Sequence, residues 1–309
     1  MKIIQGSLEF ELNSDAAVAI GKFDGMHLGH RKLLEAVLEK KKQGLLACVL
    51  TFDPSPAVFF GFSDGYELNT KEEKRALFEK LGVDVLVEFP MRVETAKMSP
   101  KDFVEDILVK RMHTKWMIAG TDVSFGDKGA GDAKLLEQLS TVYDYELVTI
   151  DKVQYEGEDI SSTRIRKCLE KGQIDYVTRL LGAPYSISGT VIHGKALGRK
   201  MGMPTVNILP AENKLMPPCG VYFSQVHMDG KVYPAISNIG YKPTVNKERV
   251  LGVETYLYDF DEDIYEKEIS VSLLSYKRPE KQFATIDDLK RQMEEDIRAG
   301  KEFHMSKNG

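Results

Sequence analysis

The sequence predicts an α/β domain followed by an all-β domain, and three observations carry that expectation. In the first half of the 309 residues, β-rich runs alternate with segments of helical spacing; after Pro184 the pattern turns to period-two alternation; the chain then closes on an amphipathic helix over about Ile286 to Ala299. Strands alternating with helices imply a parallel sheet, and successive period-two runs imply an antiparallel one, here a small barrel. Gly182 and Pro184 mark the change, so the expected domains are residues 1–183 and 184–309.

In order along the first half, Ala16 to Ile20 is a short apolar strand, Gly21 to His30 a glycine-bearing turn, and Arg31 to Lys42 a helix with Leu33, Leu34, Val37 and Leu38 at helical spacing. Leu45 to Thr51, Val83 to Phe89, Lys115 to Ala119 and Tyr145 to Ile150 read as further strands, and Asp102 to Lys110 as a helix. In the second half the alternation begins with Tyr185, Ile187, Gly189 and Val191. Val221 to Val226, Val232 to Ser237, Val253 to Phe260 and Ile269 to Ser275 continue it.

Composition narrows the function classes. A balance of 42 basic and 47 acidic residues, a formal charge of −5, argues against nucleic acid or an anionic membrane as the main partner. Cys48, Cys168 and Cys219 are widely spaced and form no C-x-x-C pair, so neither a disulfide framework nor a zinc site is expected. No apolar run approaches membrane-spanning length and the opening residues do not read as a signal peptide, so the expected location is the cytoplasm.

The chemistry-bearing segments of the first half lie where strands end. Gly21-Lys-Phe-Asp-Gly-Met-His-Leu-Gly-His30 places His27 and His30 at a helix start, where unpaired N–H groups and the helix dipole favour phosphate. A glycine-rich turn with incidental histidines is the plainer reading; the flanking strand and helix favour an anion site. Thr51-Phe-Asp-Pro-Ser-Pro56 ends another strand, with Phe59, Phe60 and Phe62 as ring-stacking or core residues. Gly120-Thr-Asp-Val-Ser-Phe-Gly126 brings Asp122 to the same end of the sheet. Ser161, Ser162, Thr163 and Arg164 open a helix, a cap that also suits a triphosphate.

The second half carries Gly194-Lys-Ala-Leu-Gly-Arg-Lys-Met-Gly-Met-Pro-Thr-Val-Asn207. Gly194 and Gly198 allow close backbone approach, Lys195 and Arg199 supply charge, and Thr205 and Asn207 offer oxygen ligands for Mg2+. A basic glycine-rich hairpin is the alternative.

These segments, in this order, resemble the bacterial bifunctional riboflavin kinase/FAD synthetase family. Its patterns G-x-F-D-G-x-H-x-G-H, T-F-D-P-x-P, G-x-D-x-x-F-G and S-S-T-R-I-R are matched at Gly21 to His30, Thr51 to Pro56, Gly120 to Gly126 and Ser161 to Arg166, and its G-R-x-x-G-x-P-T-A-N at the stretch ending in Asn207. The resemblance implies a nucleotidyltransferase (FMN adenylyltransferase) domain of Rossmann-like form and a riboflavin kinase barrel. Riboflavin, FMN, FAD and ATP would be substrates or products, with Mg2+. It implies catalytic roles for His27, His30 and Arg164 in transferring AMP to FMN, and for Glu254 as the base that activates the ribityl hydroxyl. Binding roles follow for Gly21, Phe23, Asp24, Gly25, Phe52, Pro54 and Asp122 in the first domain, with Asp24 ordering the turn. In the second, Thr205 and Asn207 would hold metal and phosphates, Asn238 belongs to a further matching segment, and Arg278 and Phe283 would close over the flavin. Strand alternation adds that Glu254, Tyr256 and Tyr258 share one face while Val253, Thr255 and Leu257 share the other.

Departures from the family patterns at Ser55, Val123, Val206, Val245 and Tyr256 leave a single-activity relative or a flavin-binding regulator as the alternatives.

Overall fold

A computed structural model describes residues 1–194, 198, 201–243 and 249–307. The chain divides into two compact units, Met1–Ser162 and Thr163–Gly309.

The first unit is a six-stranded parallel sheet in the order β1-β4-β3-β2-β5-β6. Its strands are β1 Lys2–Gln5, β2 Ala16–Ile20, β3 Leu46–Asp53, β4 Val85–Pro90, β5 Thr114–Gly120 and β6 Glu146–Ile150. β2 is buried along its whole length and β4 likewise, as strands covered on both faces must be. One core cluster gathers Val18, Ile20, Leu50, Val87, Phe103 and Ile107, the other Ala17, Ala19, Phe23, Leu34, Val37 and Phe78. Val18 and Ile20 alternate with Ala17 and Ala19, so the two faces of β2 feed separate cores. From β2 the chain runs outward through β3 and β4, then returns to β5 on the other side of β2. Sheets of this kind bind ligands where two such loops diverge beyond the strand carboxyl ends; here those loops begin at Gly21 and beyond Gly120.

Two elements differ from the sequence expectation. The helix expected over Asp102 to Lys110 is a short helix Pro100–Asp102 running into a π-helix Phe103–Arg111, with Met112 N–H donating to Ile107 O five residues back. The opening residues, too short for a periodicity signal, form the edge strand β1 paired with β4.

The second unit opens with the helices Ser162–Glu170, which begins at the last residue of the first unit, and Ile174–Leu181. After a two-stranded antiparallel ribbon in the first unit, β7 Gln154–Tyr155 and β8 Glu158–Asp159, the second unit closes a six-stranded antiparallel barrel in the order β10-β13-β12-β11-β14-β9. Here β9 is Tyr185–Ile192, β10 Val206–Ile208, β11 Gly220–Met228, β12 Lys231–Pro243, β13 Arg249–Leu257 and β14 Glu268–Pro279. The terminal helix, Ile286–Lys307, runs beyond the expected Ala299. Val253, Thr255 and Leu257 are buried, and the rings of Tyr256 and Tyr258 meet edge to face at 5.4 Å, in keeping with the alternation expected of β13. Tyr258 packs with Val221, Ile236 and Ile297 of the terminal helix, so this face of β13 is the outer one. Inside, Ser224 Oγ lies 2.8 Å from Ser237 Oγ, which lies 2.8 Å from Thr255 Oγ1, and all three hydroxyls are buried.

Candidate functional sites

In the first unit the turn after β2 is held open by left-handed backbone at Phe23 (φ 48°), Gly25 (φ 85°) and Met26 (φ 43°). Burial of Phe23 and Met26 offsets a conformation that side chains ordinarily avoid. Gly21 N–H donates to Leu50 O at 3.1 Å, and Asp24 Oδ1 accepts Leu68 N–H at 2.9 Å, which ties the turn to the segment before helix Lys71–Leu81. Ser162 Oγ donates to Asp24 O at 2.7 Å, which ties the Ser161-Ser162 segment to the turn.

His27 is the N-cap of helix Leu28–Lys41, and its Nδ1 accepts the His30 N–H at 3.3 Å. With Nδ1 accepting, the neutral imidazole carries its proton on Nε2. The two imidazoles stack with centroids 3.7 Å apart, and Phe23 lies against His30 at 5.2 Å. Burial pushes His27 down to about 4 against the opposing pull of Asp24 and Asp122, while burial and then His27 hold His30 well below the ordinary histidine value. The pair is therefore neutral near pH 7, and each ring then carries one N–H donor. His30 Nδ1 is buried with no hydrogen-bond partner, one of two such side-chain atoms among the described residues.

Around this pair, Asp122 is exposed and lies 3.3 Å from Lys152. Phe52 packs edge to face on Phe89 at 6.0 Å, which makes it a core residue as well as a strand end. Pro54 follows β3, and Phe60 and Phe62 are exposed with centroids 6.2 Å apart. Sequence reasoning missed the ion network behind this loop. Lys71 bonds Asp53, and the buried Glu88 takes both Arg75 Nε at 2.9 Å and Nη2 at 2.6 Å. Thr163 and Arg164 fall in the second unit, where Arg164 Nη2 donates to Tyr176 OH.

In the barrel, strand register brings the predicted residues together. Asn207 pairs with Glu254, Glu254 with Asn238, Asn238 with Val221, and Val221 with Arg278. Directly paired residues of antiparallel strands share a face, so Asn207, Glu254, Asn238 and Arg278 form one row across the outside of the barrel. Thr205 Oγ1 donates to Glu254 Oε1 at 2.6 Å, which leaves the hydroxyl lone pairs for a cation. A Cβ on Gly194 would fall 2.9 Å from Asn207 Cγ, and one on Gly198 would fall 3.3 Å from Thr205 Oγ1. Both glycines thus let backbone approach the oxygen donors closely. Asn238 Nδ2 donates to Glu280 Oε1 at 3.3 Å. Arg278 is held by Asp296 of the terminal helix, with Nε 3.2 and 3.1 Å from the carboxylate oxygens. Phe283 follows in the segment before that helix and is half-buried. Lys195, Arg199 and Val245 lie outside the described residues. Among the described residues no group of three or more His, Cys, Asp or Glu could hold a metal ion. No described helix is long and apolar enough to cross a membrane.

The model of the family described as FAD synthetase matches residues 9–164, and that described as riboflavin kinase matches residues 181–304. The bifunctional riboflavin kinase/FMN adenylyltransferase of Buchnera aphidicola subsp. Schizaphis graminum is 35% identical, over 98% of this chain and 99% of its own. That of Escherichia coli (strain K12) is 34% identical over 98% of both. A crystal structure described as a macrolide-efflux protein from Streptococcus pneumoniae superposes with a TM-score of 0.84 at 29% identity, covering 97% of this chain and 98% of that one.

Proposed function

Since the chain belongs to the bifunctional riboflavin kinase/FMN adenylyltransferase family, we propose that its two phosphate sites divide the two reactions between them. The enzyme phosphorylates riboflavin to FMN with ATP, and it transfers AMP from ATP to FMN, giving FAD and pyrophosphate.

Adenylyl transfer belongs to residues 1–183. His27 and His30 donate N–H groups to ATP phosphates as charge builds on the α-phosphate and the leaving pyrophosphate, a task that needs placed donors rather than a covalent intermediate. Ser161 and Ser162 add hydroxyls to this phosphate site, with Gly21, Gly25 and Asp122 lining it, and Thr163 and Arg164 are further donors for the same reaction. The commitment of His27 Nδ1 to His30 N–H supports this reading, because it leaves Nε2 as the N–H donor of that ring.

Riboflavin phosphorylation belongs to residues 184–309. Glu254 takes the proton of the ribityl 5′-hydroxyl as that oxygen attacks the γ-phosphate. Thr205 and Asn207 hold Mg2+, which when bound neutralises phosphate charge, with Gly194, Lys195, Gly198 and Arg199 around the phosphates. Arg278 and Phe283 bound the flavin, and the enzyme works in the cytoplasm.

The test is to incubate the protein with ATP and Mg2+, once with riboflavin and once with FMN, and to separate the flavins by chromatography. FAD from both mixtures is expected; FMN left unconverted in the second would remove the adenylyl transfer assignment, and no product from riboflavin would remove the kinase one.

A further inference from the structure

Arg278 reaches the outer row of the barrel through an irregularity. Along β14 Tyr276 pairs with Tyr222, but Arg278, not Lys277, pairs with Val221. Lys277 is the extra residue of a β-bulge. In unbroken register Lys277 would oppose Val221 and Arg278 would oppose Gly220, which turns the arginine to the other face. The bulge therefore places Arg278 in line with Val221, Asn238, Glu254 and Asn207.

The same bulge lets two neighbouring cations meet one carboxylate. Asp296, only 5% exposed, accepts from Arg278 Nε and, at 2.5 Å, from Nη2. Lys277 Nζ lies 3.1 Å from its Oδ1, and Gln292 Nε2 donates to that oxygen at 3.3 Å. Arg278 Nη1 donates to Pro279 O at 2.9 Å, so each of the three guanidinium nitrogens is held through one of its N–H groups. The next helix residue, Ile297, accepts the Tyr258 hydroxyl at 2.7 Å, and a Cβ on Gly300 would fall 3.3 Å from Tyr258 Cζ. Tyr258 shares its strand face with Glu254. The terminal helix is thus keyed at adjacent residues to the strand of the base and to the strand of the arginine.

We infer that Asp296 is a positioning residue for the kinase reaction: it fixes the Arg278 guanidinium in the row that contains Glu254, so that flavin binding depends on the docked terminal helix. The inference rests on the reading of Arg278 as a flavin-binding residue. The Asp296 grip takes the bidentate edge of the guanidinium, so what Arg278 presents to a ligand is a pre-oriented remainder.

The experiment compares the full chain with D296N, R278A, R278K and the R278A/D296N double variant, reading riboflavin KM and kcat separately. Adenylylation of supplied FMN by each preparation serves as the folding control. The expected result is a riboflavin KM raised about tenfold in D296N with kcat within about twofold, and a double variant no worse than R278A alone. A wild-type KM in D296N, or a double variant whose defect is the product of the two single ones, overturns the positioning role. A wild-type KM in R278A overturns the underlying reading of Arg278 and this inference with it. If D296N loses the folded barrel by near-ultraviolet circular dichroism, R278K decides: it keeps the charge but not the fork, so a raised KM supports the inference and a wild-type KM overturns it.

Discussion

The Thr205 hydroxyl donates to Glu254 Oε1 at 2.6 Å, joining the residue ahead of β10 to the centre of β13. One hydroxyl can thereby serve two purposes: its proton orients the carboxylate, and in the proposed reading its oxygen accepts Mg2+. Glu254→Gln keeps the shape and removes the base, and FMN formation should fall by about 10²- to 10⁴-fold. Thr205→Val should cost kinase activity as well, whereas both variants should convert supplied FMN to FAD at the wild-type rate. Product chromatography from riboflavin and from FMN checks this, and undiminished FMN formation by Glu254→Gln would remove the proposed base.

The histidine pair predicts the converse separation. In the proposed reading His27→Ala and His30→Ala each remove a phosphate donor, and adenylyl transfer should drop about 10²- to 10³-fold while riboflavin is still phosphorylated. Arg164→Ala should behave in the same way. Full FAD synthesis by the histidine variants would sink the assignment of the turn.

Protonation of His27 has a definite sign. Its value in the folded protein, about 4, lies below the ordinary 6.5, so the unfolded chain takes up a proton that the folded one refuses. The stability of the first unit that derives from this group is complete above pH 6.5 and is lost as the pH falls towards 4. Imidazole NMR on the intact protein should show His27 neutral at pH 6; titration of that resonance near 6.5 would contradict the burial argument.

Gly194 gives a steric prediction. A Cβ there would fall 2.9 Å from Asn207 Cγ, inside any real side-chain separation. Gly194→Ala should displace the Asn207 amide and lower kinase activity at saturating riboflavin, with the ATP KM raised and adenylyl transfer intact. Steady-state kinetics with ATP varied would show it, and wild-type ATP kinetics would mean that the close approach has no role.

Much of this architecture was legible from residues near one another in sequence. Period-two runs and helix-spaced leucines located the strands and the first helix, since each signal sits within ten or so residues. The turn with His27 and His30 was readable because its glycines, strand and helix are contiguous. What could not be read depends on pairing between distant segments. β10 has three residues, too few for any period, yet it carries Asn207 into register with Glu254. Asp296 reads as one of several acids on an amphipathic helix, and only the Lys277 bulge explains why it is buried under two cations. The Glu88 network similarly joins residues 13 apart through strand and helix packing.

The hydroxyl chain Ser224–Ser237–Thr255 acts on the barrel as a set of dowels. A one-residue slip of β12 against either neighbour would turn Ser237 outward and leave Ser224 and Thr255 facing apolar side chains without partners, at a cost of about 1–3 kcal/mol for each stranded group. Slippage is thus penalised by polarity as well as by packing. Because the outer row of Asn207, Glu254, Asn238 and Arg278 exists only in one register, three small residues inside the barrel set the alignment of four on its outside.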